Sequence, residues 1–205
     1  PKGAFTKGQE LILKTIAIIV SLIAWIWAFV LLAKSDVHPA YFVAGHVMAG
    51  LACICTSLIA LVATIARQIR NVYTDKERKQ WPKLVLLMGT ISLLWGLFVI
   101  FADSSSTNGV IGYIMIGLGL VCYSISSKVI LLAKIWGREF ALANRIPLIP
   151  VLTALACLFL ASFAFELGTT HDDYFIPARV LAGLGAICFT LFSIVSILES
   201  GTSSK

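Results

Sequence analysis

Long runs without charge constrain this chain more than anything else in it. Six segments, near residues 12–33, 41–65, 84–102, 109–133, 146–166 and 174–198, carry almost none. Each approaches or exceeds the roughly 20 apolar residues that a helix needs to cross a hydrocarbon core. Backbone in lipid must satisfy its hydrogen bonds within its own segment, so six such runs read as six α-helices. Composition agrees. Hydrophobic residues make up 59% of the 205 and charged residues 13%, against about 25% charged in soluble domains. So few charges cannot wet the surface of a soluble domain of this size. A disordered tail, a secreted disulfide scaffold and an ordinary cytosolic enzyme are excluded. The expected fold is an all-α polytopic membrane protein, one membrane domain over residues 1–205.

The residues between the spans set an orientation. Residues 34–39 and 103–109 are short polar turns, and Pro82 and Pro147 suit first-turn positions. The run 74–80 reads as a solvated helical extension touching anionic lipid. Trp81 and Trp136 read as interface anchors. Fourteen of the 16 Lys and Arg fall on one side: Lys2, Lys7 and Lys14, the six between spans 2 and 3, Lys128, Lys134, Arg138, Arg145 and Lys205. Only Lys34 and Arg179 fall on the other. The positive-inside rule then puts the basic side and both termini in the cytoplasm. The net charge of +6 is therefore a topology signal and not a sign of nucleic-acid binding. Residues 1–10 show no signal-peptide cleavage site. Because Pro1 is not an initiator Met, the chain is expected to be a fragment or a processed product.

The spans repeat. Residues 41–62, YFVAGHVMAGLACICTSLIALV, share ten of 22 positions with residues 174–195, YFIPARVLAGLGAICFTLFSIV. A weaker copy starts at Gly109. Gly50, Gly117 and Gly183 are spaced 67 and 66 apart, as are Cys55, Cys122 and Cys188. The chain thus reads as three parallel helical-hairpin repeats of about 66 residues, near 12–66, 83–134 and 146–199, related by an axis along the membrane normal. Gly45, Ala49 and Cys53, like Ala178, Ala182 and Ala186, stand four apart, a spacing that lets helix backbones approach closely.

The repeat singles out His46, Tyr113 and Arg179, each four residues before an anchor glycine. Ionisable groups inside a membrane usually face a bundle interior or a wet cavity. Convergence of the three on one axis is weighed against separate snorkelling of each to the headgroups. Asp36, Asp103 and Glu166 lie on the same side and are candidate partners for Arg179. With His38, His46 and His171 they make that face responsive to acid, or they are ordinary loop residues on a side that avoids Lys and Arg. Lys128 reads as a snorkelling lysine, with a gate or counter-ion role opposite Tyr123 or Ser126 as the other reading. The five cysteines lie in apolar runs and read as small packing residues. No catalytic, metal-ligand or cofactor motif is present, so neither a cofactor nor enzymatic activity is expected.

The segments YFVAGHVMAGLACIC, ANRIPLIP (143–150) and YFIPARVLAGLGAICFTLFSIVSILESG (174–201) resemble the YhiM family of enterobacterial inner-membrane proteins, over essentially the whole chain. The resemblance implies the bacterial inner membrane and an association with survival in acid. It also implies longer relatives with further hairpins, of which this chain matches a C-terminal portion. No catalytic or ligand residue follows from it. The expected function is a non-enzymatic protein of the acid-stress response, sensing periplasmic pH or stabilising the membrane. The alternative is a transporter or channel for protons or a small solute. Expected partners are membrane lipids, a second copy of the chain or other inner-membrane proteins, and no nucleic acid.

Overall fold

The computed structural model describes residues 6–69, 72–136, 148–168 and 170. They form α1 (Lys7–Ala33), α2 (Pro39–Ile69), α3 (Asp75–Ala102), α4 (Ser106–Trp136) and α5 (Leu148–Gly168). Of these, α1 to α4 are long and apolar enough to cross a membrane. The expected span at 174–198 lies outside the described residues, as do Pro147, His171 and Arg179.

Two odd helices start at the same device. The Thr6 hydroxyl accepts the Gln9 N–H while Gln9 Oε1 accepts the Thr6 N–H, and Thr74 and Glu77 do the same at the head of α3. Each box satisfies two amide donors that a helix start leaves without partners. The second box corrects an expectation. Helix α3 begins at Asp75, not near 84, and Pro82 lies inside it instead of in its first turn. Proline there removes one backbone bond, at the polar end of the helix, while the cap holds the turn before it. Trp81 likewise packs half-buried against the core, with its indole nitrogen buried.

The helices sort into an outer and an inner set. Large apolar side chains stand exposed along α1, α3 and α5, with Phe101 at 82% and Phe159 at 72%. In lipid such a surface is matched to its solvent. By contrast α4 is enclosed: Ile111, Met115, Cys122 and Val129 are fully buried. It packs against α2, α3 and α5.

Glycine sets the α3–α4 distance. A Cβ on Gly96 would stand 2.7 Å from the Gly112 carbonyl oxygen, and one on Gly119 would stand 2.9 Å from that of Gly89. The two backbones therefore meet directly, two turns apart along each helix. Polar groups close the rest of the seam. Ser92 Oγ donates to the Met115 carbonyl at 2.7 Å, and Asn108 Nδ2 donates to that of Val99.

One hydroxyl joins α1 to α2. Thr56 Oγ1 donates to the Ala52 carbonyl, so its two lone pairs are left to accept from Ser21 Oγ at 2.7 Å and Trp25 Nε1 at 3.0 Å. All the hydrogen-bonding capacity of that hydroxyl is used.

The contact between α2 and α4 is parallel. Gly50 faces Leu118 and Met115, Cys53 shares a cluster with Cys122, and Gln68 Nε2 donates to the Leu132 carbonyl. The partners Gly50 and Leu118, Cys53 and Cys122, and Gln68 and Leu132 stand 68, 69 and 64 residues apart along the chain.

Candidate functional site

His46 sits one turn beyond Phe42 on α2 and is 5% exposed. Its Nδ1 lies 2.7 Å from the Phe42 carbonyl oxygen. A carbonyl only accepts, so Nδ1 carries the proton and the neutral ring keeps its lone pair on Nε2. The ring meets Phe42 edge-on at 4.5 Å and Trp95 of α3 at 5.6 Å. His46 is thus an interior residue fixed at the α2–α3 interface.

Tyr113 is half-buried on α4 and packs against the Ala161 and Ala164 cluster of α5. His46 and Tyr113 therefore stand on different interfaces. Arg179 lies outside the described residues. Asp36, Asp103 and Glu166 are exposed, Asp103 as the C-cap of α3. His38 is exposed as well, and its Nδ1 accepts the Ala40 N–H at the head of α2. Lys128 is half-buried. The two hydroxyls considered opposite it are engaged elsewhere. Ser126 Oγ donates to the Tyr123 carbonyl. Thr90 Oγ1 gives its proton to the Leu86 carbonyl, which makes the Tyr123 hydroxyl the donor in their 2.7 Å bond.

A second polar group lies at the opposite, Lys- and Arg-rich end. Glu10 is 4% exposed at the head of α1. Its Oε1 meets Lys14 Nζ, and Arg67 Nη1 at 3.8 Å. Arg67 Nε lies 2.9 Å from Glu77 Oε1, while Glu77 Oε2 caps α3. One guanidinium at the end of α2 therefore joins the first turns of α1 and α3. Gln68 beside it holds α4. Close by in the sequence, Thr64 Oγ1, the Tyr73 hydroxyl and Trp81 Nε1 are buried. Thr64 stands near enough to act on the Tyr73 hydroxyl, without the geometry of a full hydrogen bond. Burial pushes the Tyr73 phenol up from its ordinary range.

The family model described as "Protein of unknown function (DUF2776)" matches residues 1–203. The chain belongs to the DUF2776 family. It is 52% identical over 190 residues to "Inner membrane protein YhiM" of Escherichia coli (strain K12), a match covering 93% of this chain and 54% of that protein. The chain thus spans about half the length of that relative. No solved structure matches. With its apolar helices, this DUF2776 chain is a helical membrane protein.

In this family member the Arg67 network is hard to see in the sequence, because the same charges read there as topology signals. The available sign is Glu10, a carboxylate at the head of an apolar span. We expect Arg67→Leu to lower stability by about 1 kcal/mol, because Glu77 and the buried Glu10 both lose a cation, while Arg67 is partly exposed and Lys14 still pairs with Glu10. Thermal unfolding in detergent micelles measures this. A melting temperature equal to wild type would show the network to be energetically idle.

Proposed function

We propose that this chain is a non-enzymatic inner-membrane protein of the acid-stress response, in which His46 couples proton uptake to the packing of α2 on α3. The observation that carries the reading is the buried His46 ring held between Phe42 and Trp95. In the neutral ring Nδ1–H is already used by the Phe42 carbonyl. A second proton adds an Nε2–H that needs an acceptor and a charge that needs solvation. Neither aromatic neighbour offers a lone pair for it. The α2–α3 contact must shift to supply one, which makes the ring a switch. Buried hydroxyls support a packed bundle over a water-lined path, since Ser57, Ser92, Ser126 and Ser127 all donate to protein carbonyls.

The architecture that goes with this reading is six spans in three parallel hairpins, with both termini cytoplasmic. Two observations support it. Partners across α2–α4 are separated by close to the repeat length, so equivalent residues share a depth. His46 meets Trp95, while Tyr113, its equivalent, meets Ala161, which is the equivalent of Trp95 one repeat later. Each of these side chains packs on the first helix of the next hairpin. The 14-to-2 division of Lys and Arg supports the orientation.

Replacing His46 with Gln keeps a polar side chain and removes the titration. Cells carrying His46→Gln at normal expression should survive acid less well than wild type. The purified variant should also lose the pH-dependent part of its tryptophan emission, because Trp95 stands against the ring. Unchanged survival together with an unchanged emission titration would end the proton-switch reading.

A further inference from the structure

Helix α2 starts on a group that titrates. At the heads of α1 and α3 the Thr6 and Thr74 hydroxyls accept backbone N–H groups. At the head of α4 the Ser105 hydroxyl accepts the Asn108 N–H at 3.4 Å, and the Ser105 carbonyl accepts that of Gly109. His38 takes this place on α2. Pro39 opens the helix and has no N–H, so the first two donors are those of Ala40 and Tyr41. His38 Nδ1 accepts from Ala40 at 3.0 Å, and the His38 carbonyl accepts from Tyr41 at 3.0 Å. His38 and Ser105 each stand twelve residues before an anchor glycine, Gly50 and Gly117. One place in the repeat is thus filled once by an imidazole and once by a hydroxyl.

The two caps differ in acid. A hydroxyl accepts at any pH. A ring nitrogen accepts only through a lone pair, so the capping ring is neutral with its proton on Nε2, the reverse of His46. Protonation of Nδ1 replaces the lone pair with an N–H that faces the Ala40 N–H. It also sets a positive charge at a helix end that already carries a partial positive charge. Both effects push the ring off the helix start. His38 is exposed, so a proton reaches it from water without any opening of the bundle. The Tyr41 ring lies beside it, at 6.0 Å between centroids. The charged groups at that end are Lys34 and Asp36 of the same turn, Asp103 on α3 and Glu166 on α5, all exposed. A carboxylate among them attracts the charged ring but cannot return the lone pair to Nδ1.

We propose that His38 is a proton-released cap: neutral, it holds the first turn of α2, and protonated, it lets that turn fray. The turn carries Phe42, whose carbonyl accepts the His46 Nδ1–H. A proton at the surface therefore loosens the support of the buried ring. That use rests on the His46 reading above, whereas the chemistry of the cap does not depend on it.

Hydrogen–deuterium exchange of the whole chain in lipid nanodiscs tests this, read on peptides covering the starts of α2 and α4. The exchange is followed at about pH 8 and about pH 4.5, either side of the ordinary histidine range, with each rate divided by the intrinsic rate at that pH. We expect protection at the start of α2 to fall about fivefold in acid, as the loss of a cap implies, and that at the start of α4 to stay level. His38→Asn offers an amide oxygen as the acceptor and should hold protection at both pH values. His38→Ala should lack it at both. Equal protection of the wild-type α2 start at the two pH values overturns the proposal, and so does an acid response that persists in His38→Asn. A matching fall at the start of α4 also overturns it, because acid then loosens the bundle as a whole. His46→Gln separates the two histidines. A response at the start of α2 that survives in this variant supports the cap whatever becomes of the His46 switch. A response that vanishes with His46→Gln belongs to His46, and the cap is overturned.

Discussion

Leucine at position 96 should cost the protein about 3 kcal/mol or more, the upper end of what overpacking does to a core. The reason is what a side chain would meet. The first atom in the way is the Gly112 carbonyl oxygen at 2.7 Å, followed by Met115 Cβ at 2.9 Å. Neither is the free end of a flexible side chain, so α3 and α4 have to separate. Separation also breaks the bond from Ser92 to the Met115 carbonyl, which lies close to the same contact. Gly8→Leu is the comparison. A Cβ there meets only the Thr6 hydroxyl oxygen at 3.9 Å, in ordinary contact. Thermal unfolding of both variants in detergent checks the pair. Similar melting temperatures for Gly96→Leu and Gly8→Leu would contradict the close seam.

Thr56→Val should cost about 2 kcal/mol with no change in shape, from lost bonds and stranded donors together. Valine has the same outline but no hydroxyl, so Ser21 and Trp25 lose their shared acceptor. Hydrogen bonds between membrane helices average about 0.6 kcal/mol, and stranding a buried donor adds about 1–3 kcal/mol. Ser21 is 4% exposed, so the penalty applies to it more fully than to the half-buried Trp25. A double-mutant cycle with Ser21→Ala isolates the pair. The two changes together should cost less than their sum, because Ser21→Ala removes a donor that Thr56→Val leaves stranded. Strict additivity would mean that the three groups do not act as a unit.

Hydropathy makes the depth of a residue legible and leaves its direction open. The apolar cores of α1 to α4 stand where the uncharged runs place them, because each is set by its own segment. The start of α3 is less visible. Residues 75–83 are polar, so hydropathy passes over them, whereas the Thr74–Glu77 pair is a helix-start signal of a different kind. The heptad spacing of Gly89 with Gly96, and of Gly112 with Gly119, is also present in the sequence. A search for small residues four apart does not find it. For the candidate site, the repeat marks His46 as an ionisable position worth following. That Trp95 is its neighbour depends on how α2 is rotated against α3, which one helix cannot specify. The Glu10–Arg67–Glu77 network is less accessible still. Its members come from three different helices, and only the folded bundle brings them together.

The parallel contact between α2 and α4 has a consequence for biogenesis. Neighbours within a hairpin are separated by a short turn, so α1 and α2 can pair as soon as both have left the ribosome and entered the bilayer. The partners of Gly50 and Cys53 lie on α4 and are made more than 60 residues later. Until then the small face of α2 is covered by lipid, and a close backbone approach has to displace that lipid before it forms. Assembly of the bundle is therefore stepwise, hairpin by hairpin. Truncation after α2 leaves a pair that can insert but has no counterpart for its inner face. A chain stalled there is one for membrane quality control to recognise, and synthesis through the end of α4 supplies the missing surface.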